Sequence, residues 1–342
     1  MNIHANRSFP ARAKFLSLVG LMVFLACLSL MTGSANLPIK EVFQAISGQG
    51  TEEVRFIIVD LRLPQMLTAI LAGGALAVSG MLMQTLFENP LADPSLLGIN
   101  SGASLGAAIA LLILGGSWSM GENAFSGVAF VVGAAFVGAC MVNMILVVCS
   151  KFLRGNLSLL VAGVMLSFVI SAIISLMSFY ATADGVRSYV VWSMGDFSGV
   201  SLSQLPLLAV LVTVPIVSLA WLVAPLNALL LGADYATNLG VNVRGVRTSM
   251  LLITGLLTAA VTAMCGPISF VGLAVPHIAR MLFPTADHKY LLPSCLLLGA
   301  IVALLSLIIS HIPGERGTLP LAAITPLIGV PVVFYILINS RR

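Results

Sequence analysis

Charged residues are scarce in this chain: 16 Lys and Arg and 12 Asp and Glu make up only 8% of its 342 residues. A soluble domain carries about 25% charged residues, and a disordered chain combines high charge with low hydrophobicity. Because 59% of the residues are hydrophobic and the mean hydropathy is +1.09, both classes are excluded. The composition therefore predicts an all-α polytopic membrane protein.

Several chemical motifs are also absent from the sequence. The five cysteines form no C-x-x-C pair, so they indicate neither a disulfide framework nor a metal site. No G-x-x-x-x-G-K-[ST] phosphate-binding loop and no H-E-x-x-H motif occur. If ATP drives a process here, another chain must hydrolyse it, and this chain is predicted not to be an enzyme.

The few charged residues divide the sequence into nine long uncharged stretches. A helix needs about 20 mostly apolar residues to cross a bilayer, and every stretch is at least that long. The stretches are 15–39, 63–87, 94–121, 123–150, 155–183, 197–233, 248–279, 290–314 and 317–340.

The basic residues at the two ends of the chain predict an even number of membrane crossings. Arg7, Arg12 and Lys14 precede the first stretch, and Arg341 and Arg342 end the chain. Cytoplasmic segments of membrane proteins are enriched in Lys and Arg, so both termini are predicted to be cytoplasmic. Nine stretches with one span each would instead place the termini on opposite sides.

The stretch 248–279 resolves this conflict because it contains Gly266-Pro267. Proline lacks an amide hydrogen and disfavours helix in the residue before it. The pair predicts a full span over about 248–265 and a short helix over about 268–279. The fold prediction is therefore ten transmembrane helices, one of them short, with eleven of the sixteen basic residues on the cytoplasmic side.

None of the predicted spans contains Asp, Glu, Lys or Arg. Carriers coupled to protons or Na⁺ commonly use such groups inside the membrane. Their absence argues against an ion-coupled secondary transporter, although a Na⁺ site built from carbonyl and hydroxyl oxygens would escape this test.

Four serines form a stripe at helical spacing in the fifth stretch: Ser167, Ser171, Ser175 and Ser178. Small residues allow membrane helices to pack closely, so helix packing is one interpretation of the stripe. The other interpretation is that these serines, with Met165, line a central pathway. The spacing leaves both interpretations open.

Three polar segments, 88–98, 232–247 and 266–280, stand out from the apolar background. Two prolines bracket a turn in the first segment. The second is too long for a tight turn and predicts one or two short helices punctuated by glycine. The third contains the predicted short helix.

At these segments the sequence resembles the permease subunits of bacterial ABC importers for iron–siderophore complexes, haem and vitamin B12. The motifs follow the family's order along most of the chain: Arg62-Leu63-Pro64, Asn89 to Pro94, Leu239-Gly240-Val241 with Arg244, and Gly266 to Arg280. The resemblance implies one transmembrane permease domain, residues 1–342, of ten helices in the bacterial inner membrane.

The resemblance also implies partners for the chain. These are a second permease subunit, identical or related, two ATPase subunits that use ATP and Mg, and a periplasmic substrate-binding protein. Besides the surrounding lipid bilayer, no further partner is expected: neither a cofactor nor a metal bound by this chain, and no nucleic acid.

Positions that match the family's motifs carry implied roles. The cytoplasmic gate would comprise Asn89, Leu91, Asn156 and Leu157. A coupling loop, about 225–247, would fit the ATPase through Asp234, Gly240, Arg244 and Arg247. Arg62 would dock the binding protein, and Arg55 or Arg316 would compensate for a second family arginine that is Gln65 here.

An iron(III)–siderophore complex is the expected cargo, because most of the family handles such complexes. Haem and cobalamin are the alternatives within the family. An ion-coupled secondary carrier and a membrane scaffold without transport activity are the rival functions.

Overall fold

The computed structural model describes residues 11–33, 37–120, 123–153, 155–312 and 317–339. These residues form fifteen α-helices, joined in places by short π-helical and 3₁₀ segments. The α-helices are α1 Ala11–Met31, α2 Ile39–Ile46, α3 Glu52–Arg55, α4 Leu63–Leu86, α5 Ile99–Ala108, α6 Val128–Phe152, α7 Asn156–Tyr180, α8 Ala183–Ser193, α9 Leu205–Ser218, α10 Val223–Leu229, α11 Ala233–Asn238, α12 Val243–Cys265, α13 Val271–Leu282, α14 His288–Ser310 and α15 Leu321–Asn339.

Within the described residues the fold is all-α as predicted, apart from a small β-hairpin. Strands β1 Ser117–Met120 and β2 Asn123–Ser126 pair antiparallel, with Ser117 opposite Ser126. Gly115, Gly116 and Gly127 flank the hairpin with positive φ angles of 62°, 78° and 75°. Glycine adopts such angles without steric cost, so helical geometry ends before the hairpin and resumes after it.

Six helices in the described part of the chain are long and apolar enough to cross a membrane: Ala11–Met31, Glu52–Leu86, Val128–Phe152, Leu157–Tyr180, Val243–Cys265 and His288–Ser310. The pair formed by α9 and α10, bent by 64°, would be a seventh span. Three shorter apolar helices, Ile99–Ile113, Val271–Leu282 and Leu321–Tyr335, would bring the number to ten if each crossed the bilayer. The count of ten and the cytoplasmic termini therefore stay predictions.

The predicted helix break at Gly266-Pro267 is confirmed. Helix α12 ends at Cys265, and Gly266 has a φ of +73°. The short helix α13 is twelve residues long, as expected, but it begins at Val271 instead of residue 268. Phe270 precedes it in a left-handed conformation, with a φ of +67°.

Helix α4 is the most buried of the long helices, and glycines allow two other helices to touch its backbone. Gly80 meets the carbonyl oxygen of Gly272 in α13, and Gly73 meets that of Gly299 in α14. Lipid is as apolar as a leucine side chain, so membrane helices associate mainly through close packing of this kind. These two crossings fix α13 and α14 against α4.

The Gly80 crossing leads to a prediction for folding. In Gly80→Ala the added methyl group would occupy the position of the Gly272 carbonyl oxygen, and backbone cannot move aside as a flexible side chain would. We expect a loss of about 2 kcal/mol or more in stability from overpacking, measured as a fall in the thermal unfolding temperature of the purified permease.

Gly133→Ala is the matched control, because Gly133 lies in α6 and an added methyl group there would have no neighbour within 4 Å. It should leave the unfolding temperature unchanged or raise it slightly. Equal stability of Gly80→Ala and the parent protein would show that the crossing is not tightly packed.

Candidate functional site

The segment between α4 and α5 carries the first two predicted gate residues, Asn89 and Leu91, in a tight turn. Glu88 has a φ of +50°, which turns the chain away from α4. The Asn89 side-chain oxygen accepts a hydrogen bond from the Leu91 amide at 2.9 Å, and the Asn89 carbonyl accepts one from the Ala92 amide at 3.1 Å. Asparagine commonly closes turns in this way. The Leu91 side chain is 39% exposed at the tip.

Helix α13 holds this turn in place. His277 lies 2.7 Å from the carbonyl oxygen of Pro90, so its Nε2 must carry the proton and donate it. The Gln84 side chain, near the end of α4, donates to the Leu273 carbonyl at 3.2 Å and accepts from Arg280 at 2.5 Å. The turn, the end of α4 and α13 therefore form one hydrogen-bonded unit.

Asp93 closes the other end of the turn from a buried position. Its carboxylate accepts a hydrogen bond from the Ser95 amide at 2.8 Å and so caps the 3₁₀ segment Pro94–Leu97. Burial raises the pKa of Asp93 above its usual value, although the hydrogen bonds with Ser95 lower it in part. Gly272 of α13 packs against this carboxylate, which ties Asp93 to the same unit.

The second pair of predicted gate residues begins α7. The helix starts at Asn156, after Gly155 with a φ of +91°. The Leu157 side chain is 72% exposed. An exposed leucine at the end of an apolar helix is available to contact another chain or lipid.

The segment 232–247 contains one short helix, α11, before α12 begins, as predicted, and α10 precedes it. The role of this segment as a coupling loop stays a prediction. Glycines separate the helices: Gly232 precedes α11 and Gly240 follows it, with φ angles of +103° and +84°. Ala236 is fully buried and anchors α11 to the body of the protein. Among the predicted contact residues, Asp234, Gly240 and Arg244 are exposed and Arg247 is half-buried.

Exposed apolar side chains accompany these polar residues on the coupling loop. Tyr235 is 51% exposed and Leu239 is 59% exposed. Because burying apolar surface is favourable, this mixture is typical of a surface that another protein covers.

A hydrogen-bond network, which the sequence analysis did not find, connects the coupling loop to α4. Asn227 of α10 donates to the Asp287 carboxylate at 2.6 Å, and this contact fixes the orientation of its amide group. The Asn227 oxygen then accepts from the His288 backbone amide at 2.9 Å and from His288 Nδ1 at 2.8 Å. Nε2 of His288 is left as an acceptor and lies 3.1 Å from the Thr85 hydroxyl in α4, whose single proton it shares with the Met81 carbonyl at 3.0 Å.

Asp287 is charged in this network. The Lys289 amide and the Asn227 side chain donate hydrogen bonds to it and hold the pKa of Asp287 below its usual value. Asp287 is also the residue before α14, where an acceptor side chain stabilises the free amides of the first turn. This capping position was the one sequence signal that could have indicated the network.

Arg62 is buried between α1 and the helix that leads into α4. Its side chain is only 7% exposed, and its Nη1 donates to the Leu30 carbonyl at the end of α1 at 2.8 Å. The guanidinium group packs against Gly33. Arg62 thus joins α1 to the helix that continues into α4, and its docking role stays a prediction.

The other two predicted docking residues have different outcomes. Arg55, in the short helix α3, is exposed. Arg316 lies outside the described residues. A docking role for Arg55 therefore stays a prediction.

The serines of α7 do not all fit one interpretation: one packs against another segment, and the others are at least partly exposed. Ser167 packs against Gly98 and donates to the Gly163 carbonyl at 3.0 Å, as a packing residue would. Ser171 and Ser175 are exposed, Ser178 is half-buried, and Met165 is 54% exposed. Helix α7 is the least buried of the six long apolar helices. Its outer face is available to a pathway or to a second subunit.

A cavity of about 920 Å³ lies at the end of α12 opposite the coupling loop. Its lining includes Asp184, Arg187 and Trp192 around α8, and Asp196 with Ser198 in the following loop. Burial raises the pKa of Asp196 above its usual value, while the Ser198 amide and His311 oppose that shift. The described residues include no group of three or more His, Cys, Asp or Glu side chains that could hold a metal ion.

Three kinds of comparison relate this chain to known proteins. The FecCD transport family matches residues 21–339. The vitamin B12 import system permease protein BtuC of Salmonella newport and that of Salmonella typhi are each 37% identical over 291 residues, which cover 82% of this chain and 83% of each relative. A solved inward-facing structure, of an ABC transporter assigned to the metal-chelate type, superposes with a TM-score of 0.84 at 28% identity. The match covers 96% of this chain and 99% of that one. The chain therefore belongs to the FecCD transport family and is a permease subunit of a bacterial ABC importer.

Proposed function

We propose that this chain forms half of the membrane channel of an inner-membrane importer that carries an intact metal chelate into the cytoplasm. Two permease subunits would enclose the pathway, and a periplasmic binding protein would deliver the chelate. ATP would be hydrolysed on two partner ATPase subunits, where Mg is also used. An iron(III)–siderophore complex is the first cargo proposed.

The coupling loop carries this proposal. It combines exposed apolar side chains, Tyr235 and Leu239, with exposed polar groups next to a helix anchored at Ala236. Exposed apolar side chains next to polar groups favour a partner that covers them. An ATPase subunit is the partner that the family membership supplies.

The hydrogen-bond network supports a route from the ATPase to the gate. A displacement of α10 would move Asn227, which holds the first residues of α14. His288 contacts Thr85 at the end of α4, and the turn with Asn89 and Leu91 follows directly. Because packed helices move as rigid bodies, a shift of α10 and α11 would displace the turn that carries Asn89 and Leu91.

The pathway would hold its cargo weakly. The long apolar spans lack fixed charges apart from residues near their ends, so a bulky chelate would meet few strong contacts there. Selectivity would then reside mainly in the binding protein, and weak contact would favour release into the cytoplasm.

Cobalamin is the second candidate cargo, because the relatives at 37% identity are described as vitamin B12 permeases. Uptake of labelled iron(III)–siderophore, haem and cobalamin should be compared in a deletion strain with and without this chain. The proposal predicts that one of these chelates enters only when the chain is returned. Unchanged uptake of all three would refute the import function.

The network leads to a second prediction, for Asn227→Leu. The change leaves the buried His288 Nδ1 without its acceptor, a penalty of about 1–3 kcal/mol. It also removes one of the hydrogen bonds to the half-buried Asp287. We expect transport per ATP hydrolysed to fall roughly tenfold, while the ATPase subunits still copurify with the permease. The ratio is measured in vesicles that contain the complete importer.

Asn227→Gln serves as the control, because it retains an amide donor and acceptor at the same position. It should restore part of the coupling that Asn227→Leu loses. Normal transport per ATP in Asn227→Leu would show that the network plays no part in coupling.

A further inference from the structure

A cleft of about 340 Å³ lies where α6 ends and α12 begins. Three basic side chains line it: Lys151 in the last turn of α6, and Arg244 and Arg247 in the first turns of α12. The structure thus brings two predicted coupling residues together with a lysine that the sequence analysis assigned no role.

No acidic side chain lines the described part of this cleft. Three cations around one small space repel each other, and the repulsion is stronger near a protein than in bulk water. The positive end of the α12 dipole adds to the unfavourable energy of Arg244 and Arg247. An anion in the cleft would remove this repulsion.

The inner wall of the cleft is apolar. Leu86, Leu159 and Leu251 are 5%, 6% and 1% exposed, respectively, and form its floor. Phe152 and Leu157, beside the cleft in the sequence, are 80% and 72% exposed. An anionic group bound here would therefore lie next to side chains that favour hydrocarbon.

We propose that the cleft binds the phosphate group of an anionic phospholipid. Guanidinium groups bind phosphate oxygens through paired, charge-assisted hydrogen bonds, and Arg244 and Arg247 provide two of them. Lys151 adds a third positive charge at the mouth. Basic pockets between membrane helices bind lipid headgroups in this way, and the acyl chains would cover Phe152.

This inference rests on the proposed function in one respect only: the proposed function determines which side of the membrane the cleft faces. Its position beside the coupling loop means that the lipid would contact the first turns of α12. Lipid binding would then hold the permease side of the ATPase contact in one arrangement.

Native mass spectrometry of the intact importer tests the proposal. The complex is equilibrated in detergent with phosphatidylglycerol or, separately, with uncharged phosphatidylcholine, and the retained lipids are counted. The parent protein should retain phosphatidylglycerol in preference to phosphatidylcholine. Lys151→Gln should weaken phosphatidylglycerol binding about fivefold, the effect of one cation near an anionic headgroup.

Two variants separate the cleft from general surface charge. Lys151→Arg keeps the positive charge and should retain the lipid. Lys289→Gln removes an exposed lysine elsewhere and should leave lipid retention unchanged. An equal loss in Lys289→Gln, or no preference for phosphatidylglycerol in the parent protein, would overturn the proposal.

Inorganic phosphate distinguishes the two sources of the anionic group. The proposal predicts that millimolar phosphate does not displace phosphatidylglycerol, because the acyl chains contribute to binding. Displacement by inorganic phosphate would overturn the lipid assignment and identify the cleft as a site for soluble phosphate.

Discussion

The backbone contact of α4 with α13 and α14 is the constraint on which the rest of the structure depends. Gly80 and Gly73 let these helices approach until carbonyl oxygens touch the glycine positions. The end of α4 carries Gln84, Thr85 and the gate turn, and α13 carries the residues that hold this turn. A wider spacing at the glycines would separate the donors from their acceptors, because N–H···O hydrogen bonds span only about 2.7–3.2 Å.

Polar contacts concentrate at the end of α4 that faces the coupling loop. His277, Arg280 and His288 each bond to a group on or just after α4. The apolar middle of the helices relies on close packing, since lipid provides no hydrophobic force between them. The helices thus form a closely packed apolar body, with hydrogen-bonded contacts at the end near the coupling loop. This arrangement suits a subunit that a partner protein moves.

Helix breaks and helix ends that depend on neighbouring residues were predictable from the sequence. Contacts between residues far apart in the chain were not. The break at Gly266-Pro267 follows from proline itself, and the glycines around α11 indicated its ends. The buried Arg62 side chain donates to the Leu30 carbonyl, 32 positions earlier. The contact of Asn227 with His288 joins residues 61 positions apart. Each contact joins residues far apart in the chain, so no local pattern could indicate it.

The length of α5 shows a further limit of charge mapping. The uncharged stretch 94–121 is long enough to span a bilayer, but the apolar helix occupies only Ile99–Ile113. The first residues of the stretch form the 3₁₀ segment capped by Asp93. Its last residues form the Gly115-Gly116 turn and part of the hairpin. Absence of charge permits a helix, whereas caps and glycines decide where it begins and ends.

The central claim is that a partner's ATP hydrolysis, and no ion gradient, powers movement through this chain. It is tested most directly with the permease, its ATPase and its binding protein reconstituted in sealed vesicles, with the cargo identified by the uptake comparison supplied on the binding-protein side. The account predicts uptake on addition of ATP to the ATPase side with no ion gradient present. Uptake driven by a proton or Na⁺ gradient in vesicles without nucleotide would contradict it.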